Sequence, residues 1–192
     1  ASSSTVAGDV APGTMRFTRR VKVTGTPVLG TVLTADPALA GLPEGTTFTY
    51  RWLRDGEAIS RRTKSTYTVQ SADLGHHVDV EVTASAPGYT SVSSTSATTA
   101  LARSTSKVAV KATGGRRTAT FSIHVTAPSV SPVSGRVSVT IGTVVHSVEL
   151  TKGRATIRLV DLAKGSKQKV TVRYSGSDTT TTGSATTTVT IT

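Results

Sequence analysis

The residues of this 192-residue chain that could support hydrolytic or metal chemistry are four histidines, eleven carboxylates and 23 serines. A serine–histidine–acid constellation can be drawn on paper around His124 or His146, but with 23 serines such pairings arise from composition alone. His76 and His77 are adjacent, and neighbours on a strand point to opposite faces, so their rings diverge rather than chelate. An exposed polar corner is the expectation there. Asp55 and Glu57 flank Gly56, yet calcium takes about six to eight oxygen ligands, more than this segment offers, so a plain hairpin turn is expected. No Gly-x-Ser-x-Gly elbow, His-Glu-x-x-His pair, Gly-x-Gly-x-x-Gly turn or Walker loop occurs, which leaves those enzyme classes without an anchor. Zero cysteines exclude a disulfide framework, a cysteine-based zinc site and a thiol nucleophile together. The expectation is a non-enzymatic chain with no catalytic residue, no metal ligand and no cofactor.

Charge is the remaining chemistry. Lys and Arg total 22 against 11 Asp and Glu, a formal net charge of +11. Residues 1–102 carry 9 basic and 8 acidic residues, whereas residues 103–192 carry 13 and 3. Lys152, Arg154 and Arg158 share a period-two face opposite Ala155, Ile157 and Leu159; Lys167, Lys169 and Arg173 lie opposite Val170, Val172 and Tyr174. These six cations are the candidate binding residues, for an anionic polymer. In a seven-stranded sandwich their two strands would belong to different sheets, so the stripes would face opposite sides of the module and form a diffuse positive coat. Such a coat attracts polyanions with strong salt dependence. Single-strand nucleic-acid binders interleave stacking aromatics with the charge, and Phe121 and Tyr174 fall on the apolar side, which disfavours nucleic acid. Outward charge also keeps sheet edges from pairing.

The elements that must position these residues are strands. The chain holds 37 Thr, 23 Ser and 25 Val, types that favour pleated, half-buried strands. No apolar run approaches the roughly 18 to 20 residues needed to span a bilayer. The length allows two domains of about 90 to 100 residues. Residues 1–18 are small, polar and punctuated by Pro and Gly, and are expected to be a linker or a displaced first strand. The absence of an initiator Met suggests a processed product or part of something longer with a missing neighbour.

From Val21 to Ala100 short alternating runs recur between turn residues. Phe48, Tyr50 and Trp52 share one face and are the expected core, on a strand ending at the hairpin signal Asp55-Gly56. Val78, Val80 and Val82 face in, with His77, Asp79 and Glu81 facing out. Residues 102–106, small apart from Arg103, read as a joint between a first domain over 19–101 and a second over 107–192. The second has seven marked strands: Val108 and Val110; Phe121, Ile123 and Val125; Val137, Val139 and Ile141; Val148 and Leu150; Ala155, Ile157 and Leu159; Val170, Val172 and Tyr174; Val189 and Ile191. Seven alternating strands in about 90 residues match an immunoglobulin-like sandwich. The fold expected is all-β, with two such sandwiches in tandem.

The runs KVTGTPVLGTVLTADP (22–37), YRWLRDGEAI (50–59) and STYTVQSADLGHHVDVEVTASAPGYTS (65–91) resemble the bacterial immunoglobulin-like repeat of secreted and surface proteins of high-GC Gram-positive bacteria, the actinobacteria. GRATIRLVDLAKGSKQKVTVRYSGSD (153–178) resembles a second bacterial immunoglobulin-like group. Trp52 has no cysteine pair to cover, and His77 stands near the place of an antibody domain's corner tyrosine, so the likeness is one of architecture. It implies a secreted or cell-surface accessory region of a larger exported protein, with an upstream domain as neighbour. Such a region spaces domains and adheres weakly to cell-wall polymer or anionic polysaccharide, with carbohydrate binding as a corollary. The alternative it leaves open is a decoration module of a phage virion or another surface assembly.

Overall fold

Valine at every second position of Val78–Val82 can bury one side of a chain only if the chain is extended, and Val78, Val80 and Val82 are each fully buried. The same logic runs through most of the chain. The structure, a computed structural model, describes residues 11–37 and 41–192. Of the leading segment 1–18, residues 1–10 lie outside the described residues.

The strands in chain order are β1 (Gly13–Thr14), β2 (Lys22–Thr24), β3 (Val32–Asp36), β4 (Thr47–Arg54), β5 (Glu57–Ala58), β6 (Thr66–Thr68), β7 (Val78–Ser85), β8 (Tyr89–Thr90) and β9 (Val92–Thr95). They continue as β10 (Lys107–Gly115), β11 (Thr118–Thr126), β12 (Arg136–Ile141), β13 (Val144–Glu149), β14 (Arg154–Leu159), β15 (Gly165–Tyr174) and β16 (Gly183–Ile191). One 3-10 turn, Ser71–Asp73, is the only helical segment among the described residues. The protein is all-β, two immunoglobulin-like β-sandwiches in tandem.

The chain divides into two units, one of Ala1–Thr26, Val32–Tyr67 and Val78–Thr99, the other of Pro27–Thr31, Thr68–His77 and Ala100–Thr192. Each sandwich repeats one strand order. The first pairs β2-β3-β6 in one sheet and β5-β4-β7-β9 in the other; the second pairs β10-β11-β14 and β13-β12-β15-β16. In both, strands one, two and five face strands four, three, six and seven.

In the first sandwich Trp52 is fully buried and stacks on Tyr67, ring centroids 5.4 Å apart, while its indole N–H donates to the Lys64 carbonyl at 2.9 Å. The three-aromatic core expected from sequence is corrected here. Phe48 and Tyr50 are half-buried, and Leu53, on the opposite face of β4, is buried instead. Asp79 points outward as expected but is covered, its carboxylate accepting from the Thr99 N–H at 3.0 Å. Asp55 and Gly56 both have positive φ, 47° and 86°, the two-residue hairpin turn of type I′ that joins β4 to β5.

The stretch expected to be a joint uses its small side chains for packing. Ala102 and Ser104 are fully buried, and the Ala102 N–H donates to the His76 carbonyl at 2.8 Å.

The second core is built from Phe121, Ile123, Val125, Val137, Val139, Ile141, Val170 and Val172, with Tyr174 at its edge. The Tyr174 hydroxyl donates to the Ser134 carbonyl at 2.5 Å and lies 2.6 Å from the Thr180 hydroxyl. Removing it by Tyr174→Phe takes the hydroxyl donor from the Ser134 carbonyl while keeping the ring, and Thr180 retains the Ser177 hydroxyl at 2.8 Å. The expected loss is about 1–3 kcal/mol, read from the urea midpoint of the far-UV circular dichroism transition; an unchanged midpoint would contradict a structural role for this hydroxyl.

Candidate functional site

Two outward sheet faces of residues 107–192 carry the cations. On the three-stranded sheet, Ala109, His124 and Arg154 form one cross-strand row, Lys111, Ser122 and Thr156 the next, and Thr113, Thr120 and Arg158 a third. Lys107 and Lys111 therefore line one outer strand and Arg154 and Arg158 the other, with no Lys, Arg, Asp or Glu on the strand between them. A shallow concavity of about 300 Å³ lies between Lys111 and Arg154, floored by Ala109, Ser122 and His124. The three acids of the second sandwich, Glu149, Asp161 and Asp178, all lie off this sheet.

On the four-stranded sheet, Ser147, Ser138, Arg173 and Ser184 form one row, and Glu149 and Arg136 sit opposite each other in the adjoining one. The Arg136 guanidinium donates through Nε to Glu149 Oε1 at 2.9 Å. That pair is the sole salt bridge among the described residues of 107–192. A groove of about 590 Å³ opens here, lined by Arg136, Ser138, Ser147, Arg173 and Ser184.

Of the six cations singled out in the sequence, Arg154 and Arg158 stand on the outer face of β14, and Lys169 and Arg173 on that of β15, in different sheets. Lys152 does not share the β14 face. It sits in the two-residue turn Thr151–Arg154 with φ 52°, followed by Gly153 at 73°, because a tight reversal needs left-handed residues there. Lys167 also leaves the stripe. It occupies a bulge between Gly165 and Gln168 with φ 52°, and a bulge inserts a residue outside the alternation. Sequence reasoning missed Lys107, Lys111 and Arg136. Lys107-x-x-x-Lys111, opposite Val108 and Val110, carried the same period-two signal and could have been found; what brings Arg136 beside Arg173 is strand register, which one sequence does not state.

His76 and His77 precede β7 rather than lying on it. His124 and His146 hydrogen-bond to no serine or carboxylate side chain among the described residues. There, no group of three or more His, Asp or Glu side chains lies close enough to hold a metal ion. No helix of the described residues is long and apolar enough to cross a membrane.

No family model matches the chain, and no curated protein does. Solved structures do. A two-domain fibronectin type III segment of chicken tenascin is similar over 88% of this chain and 97% of its own, at 13% identity and a TM-score of 0.51. The chicken interferon gamma receptor alpha chain is similar over 90% and 99%, at 9% identity and a TM-score of 0.52. Three N-terminal domains of the bacteriophage RB49 outer capsid protein Hoc align over 90% of this chain and 59% of theirs, at 17% identity and a TM-score of 0.37. The first two likenesses establish the fold, a tandem of immunoglobulin and fibronectin type III-like sandwiches.

Proposed function

We propose that this chain is a non-catalytic accessory region of an exported bacterial protein, of actinobacterial type, that spaces neighbouring domains and holds weakly to an anionic wall polymer or polysaccharide. The observation that carries the reading is the three-stranded face of the second sandwich, where Lys107, Lys111, Arg154 and Arg158 stand without an acid on the same sheet. Cations spread along two strands and separated by hydroxyls suit a repeating polyanion met in many registers better than one small ligand. The resemblance of residues 22–91 and 153–178 to bacterial immunoglobulin-like repeats supports the exported setting.

The test is retention of the whole chain on purified Gram-positive cell walls across a salt series. Retention is expected near 0.1 M salt, where screening sets in at about 10 Å, and is expected to be lost near 1 M, where it sets in at about 3 Å. Reversing two charges by Arg154→Glu with Arg158→Glu should lower retention about fivefold or more at 0.1 M, with circular dichroism unchanged. Salt-insensitive retention, or none, would remove the adhesive role and leave spacing alone.

A further inference from the structure

The two grooves on the outer faces of the four-stranded sheets stand at the same place in the repeated strand order, and only one of them is electrically settled. In the first sandwich the groove of about 410 Å³ is lined by Thr49 and Arg51 of the third strand, Glu81 and Thr83 of the sixth and Ser93 of the seventh. Arg51 and Glu81 are direct cross-strand partners, and their charged groups meet at 2.6 Å. In the second sandwich the sixth-strand arginine, Arg173, has Ser138 opposite it where a carboxylate would be needed. Its diagonal neighbour across β12 is a second arginine, Arg136, placed opposite Glu149 on β13. Diagonal positions on adjacent strands lie about 7–8 Å apart, within reach for long side chains. Two guanidiniums thus converge on one groove that holds one carboxylate, and that carboxylate is already engaged by Arg136.

We propose that this groove is the subsite for one phosphodiester group of a polyol-phosphate polymer. The reading rests on the proposed function for the polymer's identity but not for the site's location. A tetrahedral phosphodiester offers two charged oxygens to planar guanidinium forks, which bind such groups in bidentate fashion and lose little hydration in doing so. Arg173 is the main anchor, since no acid among the described residues competes for it. Arg136 adds its remaining N–H groups beside the Nε that Glu149 takes. Ser138, Ser147 and Ser184 supply hydroxyls that both donate and accept, the match for polyol or sugar hydroxyls on either side of the phosphate. The groove volume falls within the roughly 300–1,000 Å³ usual for small-ligand sites. The three-stranded face lacks this convergence, its cations being divided between two outer strands.

Amide chemical-shift titration of the whole chain with a glycerol-phosphate oligomer tests the assignment, with inorganic phosphate and a neutral oligosaccharide as separate arms. The oligomer is expected to shift the amides of Ser138, Arg173 and Ser184. Arg173→Gln should weaken it about tenfold, and Arg116→Gln, in the hairpin turn between β10 and β11, by less than about twofold. Glu149→Gln frees Arg136 and should tighten binding about two- to fivefold, a gain that a purely structural carboxylate would not give. Equal losses from Arg173→Gln and Arg116→Gln would overturn the subsite while leaving a diffuse adhesive coat intact. Inorganic phosphate binding as tightly as the oligomer would overturn the polymer assignment, and no shift at the groove despite salt-sensitive wall retention would overturn the site alone.

Discussion

Trp52→Ala is expected to unfold the first sandwich, at a cost of about 3–5 kcal/mol, a large share of the roughly 5–15 kcal/mol that holds a domain together. Trp52 is fully buried, and truncation removes three things at once. It empties the largest side-chain volume of that core. It takes the stacking partner from Tyr67, whose ring centroid also lies 6.0 Å from the Arg62 guanidinium carbon. It also leaves the Lys64 carbonyl without the indole N–H. Trp52→Phe separates these contributions, since it keeps most of the ring and loses the hydrogen bond, for an expected loss of about 1–3 kcal/mol. The chain has one tryptophan, so fluorescence of the native protein reports the first unit while circular dichroism reports both. In urea the native fluorescence midpoint is the reference, and Trp52→Ala should abolish the first of the two circular dichroism transitions or bring it to very low denaturant. A loss under about 1 kcal/mol would mean that the core packs around other side chains.

Gly114→Ala should be nearly as damaging to the second sandwich, for a reason that involves no unusual dihedral. A methyl group on Gly114 would collide with the Thr190 carbonyl oxygen and stand 2.8 Å from its carbon, and backbone cannot rotate out of the way as a side chain can. β10 passes so close to β16 here that the two must separate to admit one carbon. Gly114 is itself exposed, so the cost comes from the backbone collision and not from burial; overpacking against groups that cannot yield costs about 1–3 kcal/mol. Hydrogen exchange of the β16 amides should accelerate selectively, and the second unit's melting temperature should fall by several degrees. Thr113→Ala, at the neighbouring and likewise exposed position of β10, should change little. Comparable effects from the two would remove close approach as the cause.

Much of this architecture is legible in the residues because valine and threonine alternate with period two. β7, β12 and β15 follow directly from Val78-x-Val80-x-Val82, Val137-x-Val139-x-Ile141 and Val170-x-Val172-x-Tyr174, and Asp55-Gly56 announces its own turn. Depth of burial is not legible in the same way. Phe48, Tyr50 and Trp52 share a face, but of the three only Trp52 is fully buried, because coverage depends on what crosses above each residue. Gly114 gives no signal either, since its need is set by the distant Thr190.

The candidate cations divide along the same line. Arg154, Arg158, Lys169 and Arg173 keep their alternation, whereas Lys152 and Lys167 lose theirs to a turn and a bulge that involve positive φ at ordinary residues. Nothing in a lysine advertises a left-handed backbone. The neighbourhood of Arg136 and Arg173 comes from pairing between β12 and β15, some 35 residues apart in the chain, and pairing register is a property of the folded sheet.

The repeated strand order makes the first sandwich a ready recipient for the binding chemistry proposed for the second. Glu81 is what silences Arg51, so Glu81→Gln would leave that guanidinium as exposed to an incoming polyanion as Arg173 is. On the proposal that the second sandwich's groove takes a phosphodiester, a chain so altered would carry two grips on one polymer instead of one. The second capture would then be governed by effective local concentration, and the gain would appear as slower release, an avidity obtained from a single amide substitution on an unchanged frame.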